Sequence, residues 1–520
     1  MKRHLTLFSV FVVTATTFAQ DRVRKEPAEK LDLLRNIEYR TETQVSLAHG
    51  KTPLWLNANK YGLSSLDKAN GYTRGAIIRQ LNTDSVRHWG LGYGIDIASP
   101  LHYTSKFIIQ QAFIEARWLH GVLSVGSKEY PMELNNNFLS SGSQTFGINA
   151  RPIPQLRLSL PEYWEIPFTH GWLSLKGHIA YGMMTDDNWQ HNFTERHHRY
   201  ADNVLYHSKA GYLMIENPAK STPVSFELGL EMACTFGGEA HLTDGMSDRI
   251  VKGGVKIKDF WHAFLPGGQD ETDGIYGNIA GNQLGSWVMR ANYNSDMWTG
   301  HIYIDHYFED HSQMFLLDYN GYGTNEEWNE KKNRRYFLYA LQDMMFGTEI
   351  NLKQGVWVRN IVFEYLYTKY QSGPYNHDHT QNIPDHIAGM DNYYNHNIYT
   401  GWQHWGQVIG NPLYRSPIYN EDGDIRVKDN RFWAFHIGVD GSLTKQIDYR
   451  ALATYQEGWG SYHDPYTKKH HNASFLFEGS YRFRQNWRVK GAYAMDFGGI
   501  LGRNAGFQVT VSKSGLLIIK

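Results

Sequence analysis

Residues Trp433–Leu443 read Trp-Ala-Phe-His-Ile-Gly-Val-Asp-Gly-Ser-Leu, and residues Phe226–Phe236 read Phe-Glu-Leu-Gly-Leu-Glu-Met-Ala-Cys-Thr-Phe. In each stretch, apolar residues alternate with small, polar or charged residues along the whole length. This period of two is typical of a β-strand with one apolar and one polar face. Strands of soluble sheets are usually about five or six residues long, whereas a tilted strand that crosses a bilayer needs about nine to eleven. The two stretches therefore favour a transmembrane β-barrel.

The links between such stretches alternate in length. Tight links lie near 295–296, 353–355, 444–446 and 484–486. Long links lie near 185–207, 237–283, 309–335, 371–431 and 457–472. Outer-membrane barrels keep short turns in the periplasm and long loops outside the cell. Applied to the whole chain, the pattern predicts an all-β antiparallel transmembrane barrel of about 18 strands. One of the candidate strands lies at 145–160. Both chain ends are then periplasmic, and little helix is expected.

The start of the chain predicts export. Lys2 and Arg3 form a basic head, and an apolar stretch follows over 5–19. This pattern is typical of a secretory signal peptide, so we expect a signal peptide at 1–19 and a barrel at 20–520, located in the outer membrane of a Gram-negative cell. The alternative is a membrane anchor, but about 15 apolar residues are short for a bilayer that needs roughly 20.

Composition separates a barrel from a large soluble protein. Trp, Tyr and Phe make up 14% of the 520 residues, and barrels use such residues in girdles at both membrane interfaces. A net charge of −1 gives no reason to expect a nucleic-acid partner. The single cysteine, Cys234, excludes an internal disulfide framework. One feature does not fit, because many such barrels end on an aromatic residue and this chain ends on Lys520.

Several segments resemble the capsule-assembly Wzi family. They are Phe226–Glu239, Asp273–Trp287 leading to Arg290, Tyr303–His311, and Tyr393–Gly401 with Ile409–Leu413, and they occur in order within about 140–420. The resemblance implies an 18-stranded outer-membrane barrel with a lectin-like role, which holds capsular polysaccharide at the cell surface or assists its assembly. It implies no catalysis. The best-studied branch of the family also carries a small periplasmic helical bundle. We find no clear period of 3.6 in this chain, so we expect that element to be reduced or missing.

The long links contain the residue types that bind sugars. Aromatic faces stack on sugar rings, and carboxylate, amide and imidazole groups bond to hydroxyls. The candidate polysaccharide-binding residues are Trp189, Asp310, His311, Trp328, Tyr393, Tyr394, His396, Tyr399, Trp402 and Trp405. Loops that fold inward to plug a barrel use the same residue types, and this alternative stays open. We expect surface polysaccharide, outer-membrane lipid with lipopolysaccharide, and the barrel-insertion machinery as partners of a monomer.

A porin-like channel for small polar solutes or oligosaccharides is the main alternative function. The candidate lumen-lining residues are Glu227, Glu231, Arg290, Glu364, Arg482 and Arg488. Charged residues inside a barrel either set the permeability of a pore or fill a blocked lumen.

Catalysis and metal binding have weaker support. Glu309 and Asp310 are adjacent, so in a strand they would point to opposite faces, and no Gly-x-Ser-x-Gly elbow occurs. His377 and His379 lack the fixed spacing of a known metal motif. We therefore expect no enzyme activity, no cofactor and no metal site.

Overall fold

An antiparallel sheet of 18 strands closes on itself in the computed structural model, because the first strand pairs with the last over thirteen residue pairs from Ile37–Leu517 to His49–Ala505. The structure describes residues 32–84, 88–195, 197–219, 222–243, 248–267, 280–309, 343–369, 371–376 and 387–517. Each strand pairs with its neighbours along the chain, so the topology is a simple up-and-down barrel. The prediction of an antiparallel barrel of about 18 strands is confirmed.

The barrel strands are numbered in chain order. They are β1 Ile37–His49, β2 Ala69–Arg79, β3 Trp89–Leu101, β4 Ile108–Trp118, β5 Gly121–Ser127, β6 Gln155–Glu165, β7 Leu173–Met183, β8 Leu205–Glu216 and β9 Val224–Phe236. The second half contains β10 Asn282–Asn294, β11 Trp298–Glu309, β12 Met344–Leu352, β13 Asn360–Tyr367, β14 Phe432–Ser442, β15 Ile447–Gly460, β16 Pro465–Arg482, β17 Trp487–Gly498 and β18 Asn504–Leu517.

The links define two different ends of the barrel. We call the end where β1 begins the turn end. The links there are short and include 119–120, 295–297, 443–446 and 483–486. At the opposite end, which we call the loop end, most links are long: 50–68, 128–154, 184–204, 237–281, 310–343 and 368–431. The predicted alternation of tight and long links is confirmed for most of the chain.

Two details of the prediction are wrong. Strand β6 begins at Gln155 rather than near 145, and residues 145–154 belong to the link before it. Pro152 and Pro154 lie in that link, and proline cannot donate a hydrogen bond to a sheet ladder. The link predicted near 457–472 spans only 461–464, because β15 and β16 extend beyond the barrel wall.

Alternation gives the wall an apolar outside and a polar inside. In β9, Phe226 and Leu228 are 52% and 39% exposed on the outer face, whereas Glu227 and Glu231 are buried on the inner face. Outward aromatic residues lie at both ends of the strands, with Trp433 near the loop end and Trp487 near the turn end. An outer face of this kind suits lipid.

Helix is scarce in the described ranges. The α-helices there are α1 Leu54–Asn57, α2 Trp189–Phe193 and α3 Ile257–Phe264. Short 3-10 turns occur at Leu81–Asp84, Pro417–Tyr419 and Arg484–Asn486. Small strands in the loops pair as Tyr200–Asp202, Glu239–Thr243 and Asp248–Lys252, as Ser372–Asn376 with Ile387–Met390, and as Gln403–His404 with Gln407–Val408.

None of the helices in the described part of the chain is long and apolar enough to cross a membrane. The expectation of little helix is confirmed. The statement that no segment has a helical period is wrong for Ile257–Phe264, which forms α3 on the loop side.

Candidate functional site

Three links from the loop end fold into the barrel and fill it. We call residues 50–68, 128–154 and 391–431 together the lumen plug. Trp55, Leu139 and Trp402, one from each link, belong to a single buried apolar cluster. The same cluster includes wall residues such as Val362 and Leu452. The main core of this protein therefore lies inside the barrel.

Carboxylates of the wall bind the plug. Glu364 on β13 accepts hydrogen bonds from Ser140 Oγ at 2.5 Å and from Ser141 N at 2.8 Å. Asp305 on β11 accepts one from Gln144 N at 2.8 Å. Asp496 on β17 accepts one from Leu54 N at 3.1 Å. Irregular loop backbone carries unpaired donors, and a buried donor without a partner is costly, so these carboxylates make the folded-in loops stable.

The most buried of the predicted sugar-binding residues lie at the centre of the plug. Tyr393, Tyr394 and Trp402 have no exposed surface. The Tyr394 hydroxyl donates to Gln144 O, and the Trp402 indole donates to Thr145 O at 3.2 Å. Contact of these three side chains with polysaccharide stays a prediction, and it would require the 391–431 loop to leave the lumen.

The other described candidates also have protein partners. His396 Nδ1 accepts from Ile398 N and Tyr399 N at 3.1 and 3.3 Å, and burial lowers the pKa of this imidazole to about 4. The Tyr399 hydroxyl donates to Gly237 O at 3.0 Å. Trp189 is buried and stacks on Phe193 with ring centroids 4.7 Å apart.

Trp405 is half-buried, and the Arg151 guanidinium lies 4.2 Å from its ring centroid. Such a cation–π contact covers one face of the indole. Asp310, His311 and Trp328, the remaining candidates, lie outside the described residues.

Four of the predicted lumen-lining residues belong to polar networks, in which Glu227, Glu231 and Glu364 are buried and Arg290 is half-buried. Arg290 Nη2 and Nε donate to Glu227 Oε1 at 2.6 and 2.8 Å. Glu231 accepts from the Tyr212 hydroxyl at 2.6 Å. Glu364 also accepts from the Tyr303 hydroxyl at 2.5 Å. These groups fill the lumen and are hydrogen-bonded there.

The last two lumen candidates lie at the turn end. Arg482 and Arg488 face each other on β16 and β17 and are exposed to solvent. Arg482 Nη2 lies 3.2 Å from Asp448 Oδ2. Both lie at the rim of the barrel at the turn end.

The turn end opens into a cavity. It has a volume of about 560 Å³ and is lined by residues that include Glu38, Arg40, Gln111, Lys128 and Tyr61. Lys128 and Tyr61 also line a second, smaller void of about 90 Å³ deeper in the barrel, beside Arg157 and Tyr212. Among the described residues, the barrel is thus hollow at the turn end and filled towards the loop end.

The loop end carries an open cleft of about 500 Å³. It lies between the two ends of the 50–68 link, α2 and the 417–423 segment, and it is lined by residues that include Lys51, Asp67, Lys68, Phe193 and Glu421. Lys51 Nζ lies 2.9 Å from Glu421 Oε1 across it. The mixture of one aromatic side chain with several charged groups, in an exposed cleft of this volume, has the composition of a small polar-ligand site.

Two buried groups of the plug have strongly shifted pKa values. Burial raises the pKa of the Asp429 carboxyl to about 7, although it accepts a hydrogen bond from Gly460 N at 3.2 Å. Burial also lowers the pKa of the His404 imidazole to about 4. His404 lies between Arg151 O and Thr185 O, at 2.9 and 2.7 Å. Both groups are positioned to make plug stability depend on pH.

Among the described residues, no group of three or more His, Cys, Asp or Glu side chains could hold a metal ion.

Sequence reasoning missed the 50–68 and 128–154 links as plug segments and the cleft at the loop end. One signal was available: residues 131–154 contain three prolines, two glycines and runs such as Asn135–Asn137 and Ser140–Ser141. Such a composition is typical of a folded loop. No comparable signal marks the cleft, because its lining comes from three distant parts of the chain.

The fold is similar to that of solved outer-membrane barrels. Wzi from Escherichia coli, described as an outer membrane protein involved in group 1 capsule assembly and a carbohydrate binding β-barrel, matches with a TM-score of 0.54 and 13% identity, over 91% of this chain and 83% of that one. OccAB4 from Acinetobacter baumannii matches with a TM-score of 0.41 and 8% identity, over 94% and 100%. OccK3 from Pseudomonas aeruginosa matches with a TM-score of 0.38 and 10% identity, over 94% and 98%.

No protein-family model matches the sequence, and no curated protein matches it. At 13% identity the likeness to Wzi is a likeness of fold. The chain therefore has the fold of outer-membrane β-barrels.

Proposed function

We propose that this protein is exported to the outer membrane and holds surface polysaccharide, such as capsule, at the loop end, acting by binding and without catalysis. The observation that carries the proposal is the lumen plug. Tyr393, Tyr394 and Trp402 have no exposed surface at its centre, so, among the described residues, folded-in loops occupy the middle of the lumen where a solute would have to pass. This arrangement supports binding at the loop-end surface over transport through the lumen.

The exposed cleft at the loop end is the place where we propose that sugar binds. Phe193 supplies an aromatic face, and Lys51, Lys68 and Asp67 supply groups that bond to hydroxyls or to acidic sugars. Its volume of about 500 Å³ lies within the range of about 300–1,000 Å³ that is usual for ligand pockets. The proposal also has support from the similar fold of Wzi, which is described as carbohydrate binding.

The first test compares cell-attached and released capsule in the source strain with and without this gene. We expect deletion to release polysaccharide into the medium while the total amount stays unchanged. Normal attachment in the deletion strain would contradict the proposal.

The second test uses purified protein and polysaccharide extracted from the same strain. Replacing the half-buried Phe193 with alanine removes apolar contact worth about 1 kcal/mol, so we expect affinity to fall about fivefold. Phe168→Ala is the matched control, because Phe168 is exposed in the 166–172 link at the opposite end. Equal affinities of the two variants would place the sugar site elsewhere.

A gated channel is the second candidate function, and the cavity of about 560 Å³ at the turn end favours it. If the plug moved, this cavity would connect with the loop end. A gated channel predicts intermittent opening events of the unmodified protein in planar bilayers. A binding protein predicts a closed baseline and retention of polysaccharide.

A further inference from the structure

Helix α3, in the described 248–267 part of the 237–281 link, packs against the barrel strands β8 and β9. Side-chain alternation shows which side it covers. Tyr212 on β8 and Glu231 on β9 bond to each other inside the barrel. Successive side chains of a strand point to opposite faces. His207 and Lys209 on β8, and Cys234 on β9, therefore point outward. Cys234 nevertheless has no exposed surface, because it packs with Phe236 on the wall and Ala263 of α3. Helix α3 therefore lies on the outer, lipid-side face of the wall.

The wall beneath α3 carries polar groups that lipid could not solvate. Tyr181 Oη donates to Phe260 O at 2.9 Å, and Gln283 Nε2 donates to His262 O at 3.1 Å. Lys209 Nζ donates to Phe264 O and lies 3.4 Å from Ala263 O. Three outward side chains on three strands thus bond to carbonyls of one helix.

Those bonds explain why the helix stays on the wall. A lysine that faces lipid in a barrel wall costs up to about 2–4 kcal/mol at mid-depth and less near the interface. The carbonyls in the last turn of a helix are unpaired acceptors and attract cations. Lys209 and the end of α3 therefore satisfy each other, and the Lys209 ammonium also lies 5.1 Å from the centroid of the Phe264 ring.

The other flank of α3 is apolar and more than half exposed. Ile257, Trp261 and Leu265 are 89%, 52% and 51% exposed. Residues spaced by four lie on one face of a helix. Val255, just before the helix, is 63% exposed. Polar residues, among them Lys258 and Asp259, lie on a different flank at about 100° per residue.

We propose that α3 is an interfacial helix whose exposed apolar flank lies in the outer leaflet of the membrane, with lipid as its occupant. The flank is continuous with the lipid-facing wall, because Ile179, two residues from Tyr181 on the same strand, is itself 40% exposed and points outward. Tyr181 lies two residues from the loop end of β7, about 7 Å along the strand, which is the depth where tryptophan and amphipathic helices partition. The proposal rests on the barrel's position in the membrane and not on the polysaccharide site.

The test measures depth with a nitroxide spin label on the full-length protein in vesicles of phosphatidylethanolamine and phosphatidylglycerol. The labelled variants are Ile257→Cys on the flank, Phe226→Cys on the lipid-facing wall, and Asn192→Cys at an exposed position of α2. Unmodified protein is the labelling control, since Cys234 is buried beneath the helix. Power saturation compares collisions with oxygen, which is soluble in lipid, and with a nickel chelate, which is soluble in water.

We expect the label at 257 to collide more with oxygen than with the nickel chelate, as the label at 226 does, and the label at 192 to show the reverse. A label at 257 that behaves like the one at 192 places the flank in water and overturns the proposal. A label that neither reagent reaches places it under protein, such as a second copy, and also overturns it. Heat-modifiable migration of each variant on a denaturing gel confirms that the barrel has folded.

Discussion

Replacing Glu364 with alanine should release the plug from the wall. Glu364 lies on β13 with almost no exposed surface, and its carboxylate accepts from Ser140 Oγ, Ser141 N and Tyr303 Oη. The two serines belong to the 128–154 link of the plug, whereas Tyr303 belongs to the wall. Alanine leaves all three donors buried without this acceptor.

The magnitude follows from those three donors. A buried donor that loses its partner costs about 1–3 kcal/mol, so the three together give roughly 3–9 kcal/mol. The hydroxyls rotate and find other acceptors in part, so we expect about 4 kcal/mol, near the lower end of that range. Since about 1.4 kcal/mol corresponds to a factor of ten, the population with this link detached should rise about a thousandfold. Glu364→Gln keeps one acceptor oxygen and should have a smaller effect.

The assay is the conductance of single proteins in planar bilayers, together with protease cleavage within 128–154. We expect closed traces for the unmodified protein, frequent opening events for Glu364→Ala, and an intermediate frequency for Glu364→Gln. Glu239→Ala is the control, because Glu239 pairs with Lys252 on the exposed loop surface, where ion pairs contribute little. Indistinguishable traces and cleavage for Glu364→Ala and Glu239→Ala would refute the reasoning that wall carboxylates hold the plug.

Three further changes test the buried charges. The pKa of Asp429 is raised to about 7, against about 3.9 in the unfolded chain, so the free energy of unfolding falls as pH rises from about 4 to 7. Asp429→Asn should remove up to about 4 kcal/mol of that pH dependence. If the difference in melting temperature between pH 4 and pH 8 were the same in this variant as in the unmodified protein, the prediction would be contradicted. The pKa of His404 is lowered to about 4, against about 6.5 in the unfolded chain, so its effect on stability is the opposite: the full stability is present above pH 6.5 and is lost as pH drops towards 4. The melting temperature of His404→Gln should therefore fall less on acidification than that of the unmodified protein. Arg290→Met leaves Glu227 without its cation and should destabilise the barrel by about 3–5 kcal/mol, while adding Glu227→Gln should restore much of that loss; a double variant no more stable than the single one would show that the two groups do not act as a pair.

The barrel could be predicted from the sequence because its signal is local. Each wall strand faces lipid on one side and the lumen on the other, so each stretch such as Phe226–Phe236 carries the alternation within itself. The lengths of the links can also be read locally, and from them we predicted which end of the barrel carries the short turns and which carries the long loops. The predicted strand bounds were wrong where alternating residues do not belong to the wall, or where strands are longer than the wall. Residues 145–154 alternate weakly but lie inside the lumen, and β15 and β16 continue beyond the wall.

The candidate site was less predictable, since the same residue types bind sugar and pack a plug. Tyr393, Tyr394 and Trp402 have the composition of a glycan site, yet the structure gives each a buried protein environment. The cleft around Phe193 and Lys51 has no motif, because distant segments assemble it. Helix α3 has a recognisable pattern at Ile257, Trp261 and Leu265, but its place outside the wall follows only from contacts with Tyr181, Lys209 and Gln283.

The sequence by itself determined the number and direction of the strands, which face of each meets lipid, and which end bears the long links. These properties depend on neighbours one or two residues apart, and the bilayer imposes the same requirement on every strand. Only the tertiary structure decided that three links fill the lumen and that one helix covers the outside. The path of a loop is set by distant partners, such as Glu364 for Ser141 and Lys209 for the end of α3, because buried backbone groups must find hydrogen bonds wherever the fold supplies them.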